Sequence, residues 1–561
     1  MRELDLADIQ GGILRAYGRL GFPKGRYFFL TVHDGLKGRR FVEHLRPRIT
    51  TAARWVDPKR GEPLLRTHHP KVTDAIREKG IDDYPGVVEL VKPKVAINVA
   101  FSFLGLFALQ VPTRTLRGMP DEFIDGMEKR APMLGDTPWL DKRDAIWRRA
   151  SQLQAQAQVH VLVSMNAEMD AAGAPVPELE AETQWLLGLC AASEGGVELL
   201  PGNGPSEAQY QDMSAVLRDD GGKLAPSNKE HFGLSDGFGD PVFVGQYGPK
   251  AEAIKRVGGG KLLPDQTWAP LATGEFLLGH PDEAQEIPDA GLPIEFSRNG
   301  TFMAYRKLHE NVASFANYIK AQGETYARVM GMDDAAKAQA TVSAKLVGRW
   351  DDGVPLLAAP DFDAWKAFQA RLAAAQQAAD KVKLAEIALE YVNFTYRLDP
   401  AGATCPVTSH LRRVNTRDML DPHFGAKDPK SWMGSALNNR RRILRRGLPY
   451  GAVDPANPTD EGEHGIVFLA VCSSLFRQFE FLQQQWVQYG LDFNAGSDTC
   501  PIVGNHDENA KFVIAAEPSG EGAPFICERV PQFVEPRGGE YFFVPSMTAL
   551  RMIGMGIVDP T

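Results

Sequence analysis

Residues 26–33, RYFFLTVH, are apolar at nearly every position and predict a buried strand. The segment RFVEHLRPRI that follows spaces Phe41, Leu45 and Ile49 at helical intervals. Residues 95–103, VAINVAFSF, give a second strand, with GLFAL after it as a helix start. Residues 157–164, AQVHVLVS, alternate and then run apolar, as a strand does, and TQWLLGLCAA follows as a helix. Strand, helix, strand, strand, helix, strand is the order of a ferredoxin-like unit, which the first half fits loosely. The second half repeats the theme. GEFLLGH (274–280) and GTFMAYRKL (300–308) predict strands, and the latter runs into a helix with Val312, Phe315 and Ile319 on one face. GIVFLAV (465–471) is the strongest strand signal, and it leads into a helix presenting Leu475, Phe479, Leu482 and Trp486. YFFVP (541–545) is a late strand.

These elements predict an α+β chain of two ferredoxin-like antiparallel-sheet halves, residues 1–225 and 226–561. The boundary lies near 201–230, a stretch rich in Gly, Pro, Ser and Asp. Residues 321–400 interrupt the second half with Ala-rich helical sequence, suited to a surface insertion or an interface.

Composition narrows the function classes. With 561 residues, 43% hydrophobic and 24% charged, the chain suits a globular protein of two to four domains, or two large ones. A net charge of −9 argues against nucleic acid as a partner, because phosphate binding needs a basic field. The five cysteines are scattered and odd in number, with no Cys-x-x-Cys-His for covalent haem attachment, so a reducing compartment is the simplest reading. The start, MRELDLADIQGG, lacks the pattern of a secretory signal, and no apolar run approaches the roughly 20 residues of a bilayer span. A cytoplasmic protein without a membrane partner is expected.

Three clusters offer chemistry. In FGLSDGFGDP (232–241) glycines surround Asp236 and allow close approach to a flat ligand, although an Asp-Gly turn alone explains the pair. In CPVTSHLRRVNTRD (405–418) His410 can offer an imidazole to a metal, with Arg412, Arg413 and Arg417 nearby, although from these residues alone a structural histidine in a basic surface segment is the simpler reading. In NNRRRILRRGLPYG (438–451) one of five arginines directed into a pocket would be a permanently charged donor, and a solvated basic loop is the alternative. His68 and His69, adjacent before Pro70, make a poor shared site. No Walker loop or strand-borne GxGxxG supports nucleotide chemistry.

Taken in order, the segments resemble the dye-decolourising peroxidase family. DIQGGILRAYG, GLSDG, FSRNGTFMAYRKLHENVASF, AKLVGRWDDGVPL, the His410 segment, RRILRRGLPYG, GIVFLAVCSSLFRQFEFLQQQWV and GGEYFFVPSMTALR carry the likeness along nearly the whole chain. The His410 segment has NTR where the family often has Asn-Pro-Arg, and the His410-to-Arg445 spacing is longer than in compact members. The resemblance implies one non-covalent haem b per chain, ligated by His410, in a fold of the dimeric α/β-barrel type. It implies Asp236 as the distal acid–base residue and Arg445 as the distal arginine. Ile466 and Phe468 would line the distal pocket, and Arg413 or Arg417 would meet a haem propionate. Hydrogen peroxide and an aromatic, dye-like or other organic electron donor are the implied substrates, and a homo-oligomer is compatible. Three other readings remain: a haem-binding protein for haem or iron handling with little turnover, another haem enzyme on an α+β scaffold, and a non-catalytic interaction protein using 321–400.

Overall fold

Most of the apolar runs become strands of one antiparallel sheet. The computed structural model describes residues 4–17, 21–54, 92–151, 158–288, 290–423, 434–515 and 523–557. His68 and His69 lie outside them. The sheet contains β1 (Lys24–Val32), β2 (Val95–Phe101), β3 (Val161–Ala167), β4 (Val197–Leu199), β5 (Gln211–Ser214), β6 (Thr301–Glu310), β7 (Leu444–Tyr450), β8 (Gly465–Cys472) and β9 (Val534–Val544). Their order is β7-β8-β6-β9-β2-β3-β1-β4, and β5 pairs with the first part of β1.

Each half shows the ferredoxin-like order second-third-first-fourth: β2-β3-β1-β4, then β7-β8-β6-β9. Helices α1 (Gly35–Leu45) and α2 (Pro177–Ala192) form the crossovers of the first half, and α3 (Val312–Met330) follows the first strand of the second. The halves join where β9 pairs with β2 through Phe543 and Phe101. At the far ends β5 lies against β7, so the sheet curls toward closure.

The sheet is buried on both faces, which explains its long apolar runs. Alternate residues of β1 separate into two cores: Phe28 and Leu30 pack toward α1 and α2, while Tyr27 and Phe29 pack with Trp147, Tyr305 and Leu444 on the other side. The insertion has its own core. Helix α3 runs unbroken through residue 321, and α4 (Ala335–Val347), α5 (Phe362–Gln377) and α6 (Lys381–Glu390) follow. Asp334, Asp361 and Asp380 cap these last three helices through their carboxylates. Trp350 stacks on Trp365 at 4.6 Å beside Phe368 and Ile387.

One sequence expectation fails. The run at 274–280 forms no strand: it is a short 3-10 turn, Thr273–Glu275, followed by buried Phe276, Leu277 and Leu278. Gly274 lies so close to the His280 carbonyl that a Cβ would stand 2.2 Å from it, and Gly279 sits at φ +75°, so the apolar run folds into a tight buried loop. The arginine-rich stretch, for which a solvated loop was the alternative reading, contains β7, whose burial alternates strictly. The helix after β8 is of π type over Leu475–Glu480 and Leu482–Val487. Among the described residues no helix is long and apolar enough to cross a membrane.

Candidate functional site

Strand β7 sends neighbouring arginines to opposite faces of the sheet, as a period of two requires. Arg446 is buried against Asp240 at 2.9 Å and donates to the carbonyls of Gly12 and Ile13. Arg445 points the other way. Its Nη1 donates to Asp236 Oδ1 at 2.6 Å and its Nη2 to the Phe238 carbonyl at 2.9 Å. The register pairs Arg445 with Ala470, Gly447 with Phe468 and Pro449 with Ile466, so Ile466 and Phe468 share the face of Arg445. Both keep some exposure, whereas Leu444, Leu448 and Val467 on the opposite face are core. Arg445 keeps 30% of its side-chain surface accessible and Asp236 keeps 52%. The ion pair is therefore partly open on the face it shares with Ile466 and Phe468.

Asp236 is held by its loop. Its N–H donates to the Asn228 carbonyl, Ser235 N–H donates to the Asp351 carbonyl, and Gly237 and Gly239 adopt φ of +101° and +75°. Asp236, acting with its hydrogen bond and with Asp240 against burial, raises the Arg445 pKa still further, so the guanidinium stays charged.

His410 opens the short helix α7 (His410–Val414). Its Nδ1 lies 3.2 Å from Cys500 Sγ, and Nε2 has no hydrogen-bond partner among the described residues. No carboxylate takes that contact: Asp492 accepts from Trp486 Nε1 at 2.9 Å, and Asp498 faces Lys511 at 3.9 Å. Cys500 is buried, and its N–H donates to the Val487 carbonyl at the end of the π-type helix. Burial pushes its thiol up, but His410, their hydrogen bond and Arg413 outweigh it and bring the group down to about 7.

The arginines after His410 divide by partner. Arg412 pairs with Asp399 at 3.1 Å in the interior. Arg413 spends its donors on the carbonyls of Thr408, Trp486, Tyr489 and Asp498, so it ties α7 to its surroundings. Arg417 donates from Nη1 to the Phe394 carbonyl, while buried Nε and Nη2 have no partner among the described residues. Two arginines that the sequence reading did not single out join it. Arg349 lies over the Phe238 ring and leaves Nη2 unpartnered; Arg442 reaches the carbonyls of Gly239 and Gly260. Burial, then repulsion from Arg417, brings both Arg349 and Arg442 down to about 9. A buried guanidinium group short of counter-charge is costly, and an anionic ligand relieves that cost. The signal for Arg349 was present in GRW, but only the folded chain brings it to Arg417.

Asn415, just after α7, joins the two sides: Asn438 Nδ2 donates to its Oδ1 at 3.3 Å, and its amide lies near Gly239. A separate cleft bordered by Gln10, Tyr17, Asn98, Ser164 and Arg446 lies on the opposite face of the sheet and includes neither His410 nor Asp236. The site thus offers a free imidazole nitrogen, a carboxylate–guanidinium pair beside an apolar shelf, and a cationic cluster.

No family model matches the chain. It is 25% identical to Peroxidase 2 of Mycetinis scorodonius over 98% of this chain and 87% of that protein. It is 24% identical to the dye-decolorizing peroxidase AauDyP1 of Auricularia auricula-judae, over 82% and 75% of the two chains. It is 27% identical to the multifunctional dye peroxidase DyP2 of an Amycolatopsis species, over 61% and 65%. The fold matches a crystal structure of a fungal DyP-type peroxidase from Auricularia auricula-judae with a TM-score of 0.66 at 20% identity, covering 99% of this chain and 100% of that one. A dye-decolorizing peroxidase in complex with 2,6-dimethoxyphenol gives a TM-score of 0.65 at 22% identity, covering 98% and 100%.

Proposed function

We propose that this chain, like the dye-decolourising peroxidases it is similar to along nearly its whole length, belongs to that family and reduces hydrogen peroxide at a haem b while oxidising an aromatic or other organic donor. The observation that carries the reading is the 2.6 Å contact between Asp236 and Arg445 on the face shared with Ile466 and Phe468. The residues present fit the cofactor. His410 Nε2 is free to ligate iron, and Arg417 with Arg349 and Arg442 offers the unspent positive charge that two propionates would neutralise. Arg413, whose donors are spent on carbonyls, serves the fold of α7. One haem, held without covalent attachment, accords with the lack of a Cys-x-x-Cys-His sequence.

Haem iron supplies the centre at which the peroxide O–O bond is reduced. Asp236 takes the proton from the near oxygen of peroxide and returns it to the departing oxygen. Arg445 keeps that carboxylate placed and balances the negative charge that grows on the departing oxygen. Ile466 and Phe468 exclude water from the same face, which strengthens both effects. Cys500 accepts from His410 Nδ1 and so fixes the ring and its tautomer.

All five cysteines are free and buried, which supports a reducing, cytoplasmic location. Residues 1–225 and 226–561 are assigned to the two halves, with β5 ending the first and β6 opening the second.

The test is rapid mixing of the purified haem-loaded protein with one equivalent of peroxide at mildly acidic pH. The expected result is loss of Soret intensity within milliseconds and its recovery on adding an aromatic donor. Asp236→Asn and Arg445→Leu should retain the resting spectrum and slow the first phase by about 10²–10³-fold. A Soret band indifferent to peroxide would favour haem handling without this turnover. Activity that rises toward acidic pH is also expected, since an aspartate base remains ionised down to about pH 4.

A further inference from the structure

The loop that presents Asp236 carries a second carboxylate turned inward. Glu230 accepts from Phe232 N–H at 2.8 Å and from Leu234 N–H at 3.2 Å, so it braces the turn between itself and Asp236. Its carboxyl is also hydrogen-bonded to that of Glu310, the last residue of β6. Glu310 is only 3% exposed, and its Oε2 has no protein partner among the described residues. No arginine or lysine ion pair with either is found among the described residues. Phe232, between the two N–H contacts, packs on Phe315 at 4.6 Å and beside Phe533. Around the pair stand His231 and Asp236 on the same loop, Tyr450 on β7 and His464 before β8.

A hydrogen bond between two carboxyl groups needs one proton, because two carboxylates have only acceptors to offer. We propose that Glu230 and Glu310 share a stored proton that resupplies Asp236 during turnover. The chemistry calls for such a store. Peroxide reduction follows H2O2 + 2 e− + 2 H+ → 2 H2O, with both electrons from the organic donor. Asp236 shuttles the proton that peroxide itself brings. The two further protons, which convert the second oxygen to water, come from elsewhere. The pair gives one proton to Asp236, Asp236 passes it to that oxygen, and the pair is recharged from solvent through the partly exposed Glu230. Burial first, and then the neighbouring negative charge of Asp236, push Glu230 up; burial and the charge of Glu230 push Glu310 up, and both shifts favour a proton on the pair.

This inference rests on the haem reading above, and its test separates the two. Glu310→Gln keeps a hydrogen bond to Glu230 but has no proton to give; Glu230→Gln is the companion variant. Each is reacted with peroxide, then reduced either by ferrocyanide, which brings electrons alone, or by a phenol, which brings its own proton. The expected result is a normal resting spectrum, a normal first phase, and a ferrocyanide step slowed at least about tenfold at neutral pH, with the phenol step close to wild type. The infrared absorption of protonated carboxyl groups in the resting haem-loaded protein should also decrease in both variants. Equal slowing with both donors would assign the pair a structural role and overturn the proposal, as would an unchanged infrared spectrum. A wild-type chain that takes up no haem would overturn the peroxidase reading itself, and the infrared comparison would still report whether the pair holds a proton.

Discussion

A single arginine shows how partner geometry separates roles that sequence spacing leaves together. Arg413 and Arg417 stand four residues apart in one basic segment, and both were reasonable partners for a haem carboxylate. Arg413 has its guanidinium occupied by four backbone carbonyls, whereas Arg417 retains two buried, unpartnered nitrogens over the Phe394 ring. Arg417→Leu should therefore weaken haem retention by about 10–100-fold, the worth of one or two hydrogen bonds to a charged group. Haem transfer to excess apomyoglobin measures it. Arg413→Leu should instead lower the unfolding midpoint, because four carbonyls lose a donor. The same logic applies to Cys500. Cys500→Ala leaves His410 Nδ1 without its acceptor and should slow the first reaction with peroxide by about 10–100-fold. Stopped-flow Soret decay reads it. A Cys500→Ala variant that reacts at the wild-type rate would remove the thiol from the account.

At the scale of elements, the fit between site and fold depends on how loops are wedged against strands. Gly353 sits at φ +90°, and a Cβ there would stand 2.1 Å from the ring of Phe238. Phe238 in turn stacks on Tyr391 at 5.2 Å and offers its carbonyl to Arg445. Gly353→Ala should destabilise the chain by about 1–3 kcal/mol through backbone strain and a displaced ring, and should slow the peroxide reaction by loosening Arg445. Thermal unfolding and stopped-flow rates check the two effects separately. Much of the scaffold was legible from periodicity, because β1, β8 and α3 and the first half of β6 carry apolar faces. The run at 274–280 misled, since apolar residues mark burial and Gly274 with Gly279 decides against a strand. β7 was hidden because charge interrupts both its faces: Arg446 is buried against Asp240 among the inward positions, and Arg445 stands at the site on the other face. Cys500 and Arg349 were invisible for a different reason: their meaning comes from contacts 90 residues away in one case, and from a shared deficit of counter-charge in the other.

Across the whole molecule, buried ionisable groups pull stability in opposite directions with pH. His160 is held down to about 4 by burial, and His231, His280, His309, His464 and His506 are lowered from the same first cause. Each binds a proton more readily unfolded, so acidification below about 6.5 disfavours the native state. Glu540 is pushed up to about 6 by burial, and Glu122, Glu275, Glu230 and Glu310 also rise, with burial as the first cause. These bind a proton more readily folded, so their contribution is complete below the ordinary carboxylate range and is lost as pH rises through the folded value. Between about pH 4.5 and 6.5 the two sets offset each other, and stability should change little. Above neutrality the histidines fall silent and the Glu230–Glu310 pair continues to lose its proton, so stability should decline. Cys500, brought down to about 7, acts in the opposite sense there, which makes the comparison of variants more telling than one curve. Melting temperatures of the haem-loaded wild type and Glu310→Gln, taken from mildly acidic to mildly alkaline pH, should separate. The wild type should lose several degrees above pH 7 and the variant distinctly less, since the amide removes the charge that burial opposes. Parallel curves would mean that the two carboxyls share no proton in the native state.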